Sequence, residues 1–209
     1  MAMVSSDRKS LMRTDEPAYS EYLERKYLPG RRLYLQYIFY PKILRHFHGN
    51  DTILDLGCGT GEFLNYCRSQ KRDVLGVDSN KALFAKNQNA GFEVILDDVC
   101  KLTSLKNRHF RYAVCDNVLE HLEMAQIRDF FQRIGELLSS GGVLVCVVPG
   151  AKGFQMDPTH RTYVTPDVLK EALESSIWRI RNNYFHPLNL GEIDKFLYLN
   201  MQVFEITRV

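Results

Sequence analysis

Short apolar runs alternate with longer amphipathic stretches along most of the chain, and this pattern predicts an α/β fold. Helical periodicity, with apolar residues three or four positions apart, covers residues 62–70, 79–88 and 126–139. Runs rich in branched side chains predict parallel strands at residues 52–56, 73–78, 92–97, 112–116 and 143–148. A strand–helix–strand order of this kind calls for right-handed crossovers between neighbouring strands.

The last third of the chain breaks this alternation. Residues 150–163 carry few helix or strand signals, and the capping hydroxyl and proline at 165–166 then predict a helix that runs to about Ser175. Strand patterns at 178–185 and 196–208 follow, which predicts an antiparallel pair at one sheet edge. The predicted fold is α/β: a Rossmann-like, doubly wound, mostly parallel seven-stranded sheet with an antiparallel C-terminal edge and an N-terminal helical extension.

Composition divides the chain near residue 48. Residues 1–16 are polar and are expected to form a tail, whereas residues 17–48 are rich in tyrosine, arginine and leucine. We therefore expect residues 1–48 to form a tail and helical extension, and residues 49–209 to form the main domain. No internal repeat or low-complexity tract suggests a further division.

Pro29 and Gly30 split this extension into two helical pieces. In the second piece Tyr34, Tyr37 and Ile38 are spaced as one helical face, which predicts an amphipathic helix pair packed on the main domain. A second hypothesis makes the extension a lid over a cofactor. The side chains that would face the ligand in that case are Tyr19, Tyr22 and Arg31.

Charge and cysteine usage narrow the class of protein. The 209 residues have a net charge of only +2, so the basic surface typical of nucleic-acid binding is not indicated. The apolar runs are shorter than a membrane span and residues 1–13 lack the apolar centre of a signal peptide, so the expected location is the cytoplasm. The 5 cysteines form no C-x-x-C pair and are expected to be reduced, buried side chains.

The stretch 52–63 carries the clearest chemical signal. An apolar strand pattern breaks into Gly57, Gly59 and Gly61 and resumes as a helix, which predicts a tight ligand-binding turn. Dinucleotide loops have G-x-G-x-x-G spacing, but here the spacing is G-x-G-x-G and Asp55 precedes the first glycine by two residues. An acid at that position would repel a pyrophosphate and attract an ammonium group, such as the one on the methionyl end of S-adenosylmethionine.

Residues 53–61 resemble the first motif of the class I S-adenosylmethionine-dependent methyltransferases, and the resemblance extends over about residues 50–180. It implies S-adenosyl-L-methionine as cofactor and S-adenosyl-L-homocysteine as product. It also implies an acid for the ribose hydroxyls at the end of the second strand, an adenine-binding segment after the third and a methionine-binding segment after the fourth. The cofactor-binding candidates are Asp55, Gly57, Cys58, Gly59, Gly61, Asp78, Ser79, Asp97, Asp98, Val99, Asn117, Val118 and Leu119. Ser79 is also the predicted cap of the helix that follows the second strand.

Methyl transfer to an oxygen atom usually needs a group that removes the acceptor's proton. The candidates are His160, His121 and Glu120, although the last two could instead cap a helix or bond to the cofactor loop. The segment Asp157-Pro158-Thr159-His160 resembles a D-P-T-H segment in a subset of bacterial methyltransferases associated with glycan and polysaccharide assembly. His160 is therefore either a base, a substrate clamp or a residue that fixes its own loop.

Missing motifs exclude several acceptors. The sequence after the fourth strand is not the N/D-P-P-Y/F motif of nucleobase amino methylation, and it offers no Pro-Cys nucleophile for cytosine methylation. Val148-Pro149-Gly150 supplies no ligands for a catechol-type metal site, so no metal ion is predicted. The leading prediction is O-methylation of a small molecule, sugar or glycan, or lipid-like hydroxyl. The alternatives are an RNA or protein methyltransferase, a cofactor-binding regulatory or scaffolding protein, a nicotinamide enzyme and a spermidine-synthase-like relative.

Overall fold

A computed structural model describes residues 13–26, 30–189, 195–198 and 200–209. The first twelve residues of the predicted tail, like Pro29, lie outside the described residues. The strands are β1 Ile53–Leu56, β2 Val74–Asp78, β3 Val94–Leu96, β4 Phe110–Asp116, β5 Leu138–Pro149, β6 Trp178–His186 and β7 Met201–Arg208. The helices are α1 Pro17–Lys26, α2 Arg31–Tyr34, α3 Tyr40–Leu44, α4 Glu62–Ser69, α5 Lys81–Asn89, α6 Met124–Leu137, α7 Ala151–Met156 and α8 Pro166–Ala172.

The described residues form a 7-stranded sheet in the order β3-β2-β1-β4-β5-β7-β6. Strands β1 to β5 pair in parallel, and β7 runs antiparallel between β5 and β6. The predicted fold class is confirmed, including the antiparallel edge. After β1 the chain builds the sheet in one direction through β2 and β3, and it then returns to place β4 on the other side of β1. Ligands bind in such sheets at the carboxyl ends of the strands where the order reverses, which here is between β1 and β4.

Apolar side chains are buried on both faces of the sheet. On one face, α6 and α8 pack Ile127, Phe130 and Leu169 against the strands. On the other face, α4 and the N-terminal helices contribute a second cluster, with Phe39, Ile43 and Phe63 almost fully buried. The N-terminal extension therefore shares a core with the main domain rather than lying loosely upon it.

The face of the extension that packs differs from the predicted one. Tyr37 and Ile38 are 69% and 53% exposed, whereas Leu35 and Phe39 are buried. A π-helical segment, Leu35–Phe39, lies between α2 and α3 and adds a residue to its turn. This wider turn shifts the helical phase, so a pattern based on 3.6 residues per turn selected the wrong side chains.

Three local predictions need correction. The helix cap after β2 is Asn80, whose side chain accepts hydrogen bonds from the N–H groups of Ala82 and Leu83, and not Ser79. Helix α6 ends at Leu137 and β5 begins at Leu138, earlier than the expected strand start at residue 143. The predicted loop 150–163 contains α7, whose central Gly153 would have disfavoured a helix on propensity alone. A Cβ at Gly153 would lie 3.0 Å from the Tyr198 carbonyl oxygen, which explains the glycine.

None of the helices in the described part of the chain combines the length and the apolar character needed to cross a bilayer.

Candidate active site at the carboxyl ends of β1 and β4

A cavity of about 820 Å³ opens where β1 and β4 end. This volume lies within the usual range for small-molecule sites. Of the predicted site residues, the cavity wall includes Asp55, Gly57, Cys58, Gly59, Asp78, Ser79, Asp98, Val99, Asn117, Val118, Glu120, His121, His160, Tyr19 and Arg31. Residues that lie far apart in the sequence are thus brought to one site. We refer to Asp55, Gly57–Gly59 and Asp78 as the glycine-loop wall, and to Glu120, His121 and His160 as the histidine wall.

The glycine loop is held against the end of β2 by its own backbone. The N–H groups of Gly57 and Cys58 donate to the Val77 carbonyl oxygen at 2.8 and 3.0 Å, and the Gly61 N–H donates to the Cys58 carbonyl oxygen at 2.9 Å. The Gly59 N–H donates to the Asp78 carboxylate at 2.8 Å. Because these donors already have protein acceptors, the loop is poorly suited to bind a pyrophosphate, in agreement with the interpretation of its glycine spacing.

Two of the loop glycines cannot be replaced without strain, because neighbouring side chains lie too close for a Cβ and because their backbone conformations disfavour one. Gly57 has φ 75°, and a Cβ there would lie 2.3 Å from Cγ2 of Val118. Gly61 has φ 80°, and a Cβ there would lie 2.2 Å from Oδ1 of Asn87. Side chains at these positions would be strained in backbone conformation and would also push into the neighbouring segments. Gly61 supports the loop but does not itself line the cavity.

Three strand-end carboxyls give the cavity its electrostatic character. Asp55 is 2% exposed, and its Oδ2 has no hydrogen-bond partner among the described residues. Burial, followed by the charges of Asp116 and Asp78, raises the pKa of Asp55 well above its usual value. Burial also raises the pKa of Asp116 to about 6, although Arg31 opposes this shift. Acids that are buried together in this way favour a cationic ligand, since each buried carboxylate needs a positive partner.

Asp78 links the cavity to the N-terminal segment. Its two carboxylate oxygens accept from the N–H groups of Gly59 and Asn80, both at 2.8 Å, and burial raises its pKa despite these bonds. The amide nitrogen of Asn80 donates to the carbonyl oxygens of Thr14 and Glu16, at 3.0 and 2.8 Å. The chain therefore enters α1 directly beside the glycine-loop wall. Sequence reasoning missed Asn80 because the neighbouring Ser79 was the more obvious cap.

Asp97, Leu119 and Tyr22 lie outside the lining of this cavity. The Asp97 carboxylate accepts from the N–H groups of Asp98 and Ser104, both at 2.8 Å, and so organises the turn after β3. Partial burial would raise its pKa, but these hydrogen bonds outweigh burial and lower it. Leu119 is fully buried in the core, and Tyr22 packs beside Tyr19 with ring centroids 6.0 Å apart. All three residues therefore lie next to the cavity without lining it.

The segment after β4 turns sharply into the cavity. Asn117 has φ 58°, a left-handed conformation that asparagine tolerates better than most residues, and its side chain donates to Asp116 at 2.7 Å. This turn places Val118 against Gly57 and begins the short helical turn Leu119–His121. Asp116 itself was missed in the sequence, although it ends a strand just as Asp55 and Asp78 do.

The D-P-T-H segment packs against this turn through backbone hydrogen bonds. The N–H groups of Arg161 and Thr162 donate to the Glu120 carbonyl oxygen, at 2.7 and 3.1 Å. Asp157 organises the loop internally, since its Oδ1 accepts from the Thr159 N–H at 2.9 Å and from the Thr159 hydroxyl at 2.6 Å. Asp157 and Thr159 are therefore scaffolding residues that present His160.

The side chains of the histidine wall are close to one another and largely buried. The His121 and His160 rings lie 4.9 Å apart between centroids. Nε2 of His160 is 3.9 Å from Oε1 of Glu120 and 3.7 Å from Oδ2 of Asp157. Glu120 is fully buried, and the side chain of His160 is 6% exposed. All three proton-accepting candidates predicted from sequence thus meet on one wall of the cavity.

The N-terminal segment also contributes side chains to the cavity wall. The Tyr19 hydroxyl lies 3.4 Å from Nε2 of His121, and Tyr19 is 8% exposed. Arg31 forms a salt bridge with Glu62 at the start of α4. Two of the three predicted lid residues therefore line the cavity, and Glu62 is a partner that the sequence alone did not indicate.

The profile of the methyltransferase domain family matches residues 19–194, which is most of the chain. This chain belongs to the class I S-adenosylmethionine-dependent methyltransferases. The family, the enzyme class and the cofactor predicted from the sequence are confirmed.

Individual relatives are distant. The curated protein "Putative methyltransferase GWCH70_2453" of Geobacillus sp. (strain WCH70) is 27% identical in an alignment of 146 residues that covers 66% of this chain and 55% of the relative. The match thus spans little more than half the relative's length. A SAM-dependent methyltransferase from Archaeoglobus fulgidus has a similar fold, with a TM-score of 0.74 at 21% identity over 90% of this chain and 99% of that one. A TehB-like SAM-dependent methyltransferase from Corynebacterium glutamicum gives 0.70 at 21% identity over 93% and 100%.

The residues of this methyltransferase fit its cofactor. Oδ2 of Asp55 is a buried acceptor without a protein partner among the described residues, which suits the α-amino group of S-adenosylmethionine. The acids at 55, 78 and 116 complement a ligand that carries a sulfonium and an ammonium charge. Asp78 and Ser79, at the end of β2, and Asp98 and Val99, after β3, line the same cavity.

Proposed function

We propose that this methyltransferase acts on a hydroxyl oxygen of a small molecule, a sugar or glycan, or a lipid-like acceptor. The observation that carries the proposal is the convergence of Glu120, His121 and His160 on one wall of the cofactor cavity. An alcohol is a poor nucleophile until it loses its proton, whereas a neutral amine or a thiolate needs no such help. A wall that carries two imidazoles and a carboxylate therefore fits an oxygen acceptor best.

Bound S-adenosylmethionine supplies an activated methyl group: the bond to the acceptor oxygen forms as the sulfur–methyl bond breaks, and the electron pair of that bond stays on sulfur in S-adenosylhomocysteine. The protein's own work is to orient the acceptor, exclude water and receive the hydroxyl proton. Tyr19 covers the cavity beside His121, so α1 can keep water from the histidine wall.

Hydrogen bonds set the tautomer of both histidines. Nδ1 of His160 lies 3.0 Å from the Phe154 carbonyl oxygen, and Nδ1 of His121 lies 3.3 Å from the Thr159 carbonyl oxygen. A carbonyl oxygen only accepts hydrogen bonds, so each Nδ1 carries the hydrogen. Each Nε2 then keeps its lone pair and is the nitrogen that can take a proton from the acceptor.

The proposal is tested by incubating the protein with S-adenosylmethionine labelled in its methyl group and a panel of sugars, glycans, phenols and lipid-like alcohols. We expect label in a methyl ether, which resists mild base and is recognised by mass spectrometry. Label in an amine, in a base-labile ester, in RNA or in protein would contradict the proposal. Binding of the cofactor without transfer to any acceptor would instead favour a regulatory or scaffolding role.

A further inference from the structure

We propose that Glu120, His121 and His160 bind one divalent transition-metal ion, and that this ion holds the acceptor hydroxyl. One potential ligand atom from each of the three lies within 4.8 Å of the other two. Ligand atoms around a tetrahedral zinc ion, at about 2.1 Å from the metal, lie roughly 3.4 Å apart. Side-chain rotations that bring these atoms closer by up to about 1.4 Å would therefore complete the site.

The outer hydrogen bonds of both histidines are those expected of metal ligands. A ligating imidazole usually donates its second N–H to a carbonyl or carboxylate, which fixes the ring and leaves the other nitrogen for the metal. Nδ1 of His160 donates to the Phe154 carbonyl oxygen, and the ring stacks on the Phe154 ring at 5.4 Å between centroids. Nδ1 of His121 faces both the carbonyl oxygen and the hydroxyl of Thr159, at 3.3 and 3.2 Å.

The Thr159 hydroxyl also has a defined direction. It donates to Asp157 at 2.6 Å, so its oxygen can only accept from His121. Nε2 is thus the ligating nitrogen of both rings. For His121 this nitrogen lies 3.4 Å from the Tyr19 hydroxyl, so the hydrogen bond to Tyr19 would be exchanged for the bond to the metal.

Charge and ligand type favour an ion such as Zn²⁺ over Mg²⁺ or Ca²⁺. Two imidazoles and one carboxylate form a donor set used by catalytic zinc and by other divalent transition metals, whereas Mg²⁺ and Ca²⁺ prefer oxygen ligands. Oδ2 of Asp157, 3.7 Å from Nε2 of His160, adds a second nearby negative charge. A divalent cation at this point would stabilise the ionised form of the fully buried Glu120 carboxylate.

The role of the ion rests on the proposed function. All three ligands line the cavity, so the remaining coordination positions face the acceptor. A hydroxyl oxygen bound there would have a lowered pKa, and its proton would pass to solvent before methyl transfer. The metal site would then take over the deprotonation that a single histidine would otherwise perform.

Metal binding is tested directly, without any acceptor. Untagged protein is freed of metal with a chelator and titrated with Co²⁺, which reports a site of nitrogen and oxygen ligands through its visible absorption, and with Zn²⁺ by calorimetry. We expect one ion per chain. Glu120→Gln, His121→Ala and His160→Ala should each weaken binding by at least about 100-fold, since each removes a ligand.

His109→Ala is the matched control, because His109 is exposed and lies just before β4. This variant should bind as the wild type does, and circular dichroism checks that the ligand variants are folded. Absence of Co²⁺ absorption and of Zn²⁺ heat in the wild-type protein would overturn the proposal, whatever the variants do. So would binding that survives all three ligand substitutions.

The experiment separates this proposal from the proposed function. If the metal-free protein transfers methyl groups to a hydroxyl at the wild-type rate, the role given to the ion is wrong and the proposed function stands. If the protein binds the ion through these three residues but methylates no hydroxyl, the metal site stands and the proposed function is wrong.

Discussion

The glycine-loop wall and the histidine wall face the same cavity but are built in different ways. The first is set by backbone hydrogen bonds and by acids at the ends of adjacent parallel strands. The second is assembled by side chains that meet across 38 and 102 residues of sequence, between His121 and Thr159 and between His121 and Tyr19. A wall encoded by strand ends can be recognised in a sequence, and we assign it to the cofactor. We propose that the wall assembled from distant segments binds the acceptor.

The largest expected effect concerns the glycine-loop wall. Asp78→Ala removes a carboxylate that orders the loop and, in our assignment, contacts the ribose, a loss of about 2 to 4 kcal/mol or about 30- to 700-fold in S-adenosylmethionine affinity. Calorimetric titration measures it. Asp73→Ala, an exposed acid at the opposite end of β2, is the control and should bind normally. Equal affinity in the two variants would show that Asp78 is not part of the cofactor site.

The next largest effect is expected from a substitution that disturbs the contact between the glycine loop and the segment after β4. Gly57→Ala would force Val118 to move, because the new Cβ would lie 2.3 Å from its Cγ2. Gly141 has the same φ of 75°, but a Cβ there would meet no atom within 4 Å, so Gly141→Ala controls for backbone strain. We expect Gly141→Ala to lose about 1 to 3 kcal/mol in the free energy of unfolding, and Gly57→Ala to lose more because the contact with Val118 adds to the strain.

Only Gly57→Ala should also weaken cofactor binding, by about tenfold or more. Thermal or denaturant unfolding and calorimetry measure the two quantities separately. If the two alanine variants bind the cofactor equally well, the position of Val118 does not affect cofactor binding.

A pH dependence should follow from the buried acids. Burial raises the pKa of Asp116 to about 6, and a bound cation would favour its ionised form. Below pH 6 the free protein must lose this proton to bind the cofactor, so affinity should fall by up to about tenfold per pH unit as the pH decreases. Above pH 7 the carboxylate is already ionised and contributes no further change.

The α-amino group of the ligand stays charged between pH 5 and 7, so it does not produce this trend. Asp116→Asn should flatten the dependence across that range, with any remaining slope due to Asp55 and Asp78, whose pKa values are also raised by burial. Calorimetry at several pH values measures it. An affinity that rises as the pH falls would contradict the electrostatic account of the cavity.

The smallest expected effect concerns Tyr19, which lies beside the histidine wall. Tyr19→Phe keeps the ring but removes the hydroxyl that lies 3.4 Å from His121, a loss of about 0.5 to 1.5 kcal/mol. Methyl transfer should slow by about 2- to 10-fold, with cofactor affinity unchanged. Tyr37→Phe, on an exposed ring, should change neither quantity. If cofactor affinity falls more than the transfer rate, Tyr19 contributes to cofactor binding rather than to the histidine wall.

Most of the fold could be predicted because strand ends and helix starts are marked by local chemistry. Thr165 caps α8 as expected, with its hydroxyl accepting from the Val168 N–H. Predictions were wrong where tertiary contacts override local preference. The π-helical segment changed which residues of the extension are buried. Gly153 occurs within α7 although glycine disfavours a helix, because a Cβ there would lie only 3.0 Å from the Tyr198 carbonyl oxygen.

In the candidate site, too, the residues marked by local patterns could be predicted and those that depend on distant contacts could not. Asp55, Asp78 and the three glycines could be predicted, because a strand-end acid and closely spaced glycines are local patterns that indicate a ligand-binding turn. Asn80 and Glu62 could not, because their partners in the N-terminal segment are distant in sequence. The pairing of His121 with His160 could not be foreseen either, since the loop that carries His160 had no recognisable secondary structure.

The separation of the two walls is tested most directly with His160→Ala, by measuring its S-adenosylmethionine affinity and its methyl-transfer rate in parallel. We predict an affinity within about threefold of the wild type, because the glycine-loop wall is untouched. The transfer rate should fall by about 100-fold or more, because a proton-accepting group is lost. If affinity and rate fall together by the same large factor, the assignment of the cofactor to the glycine-loop wall and of the acceptor to the histidine wall is wrong.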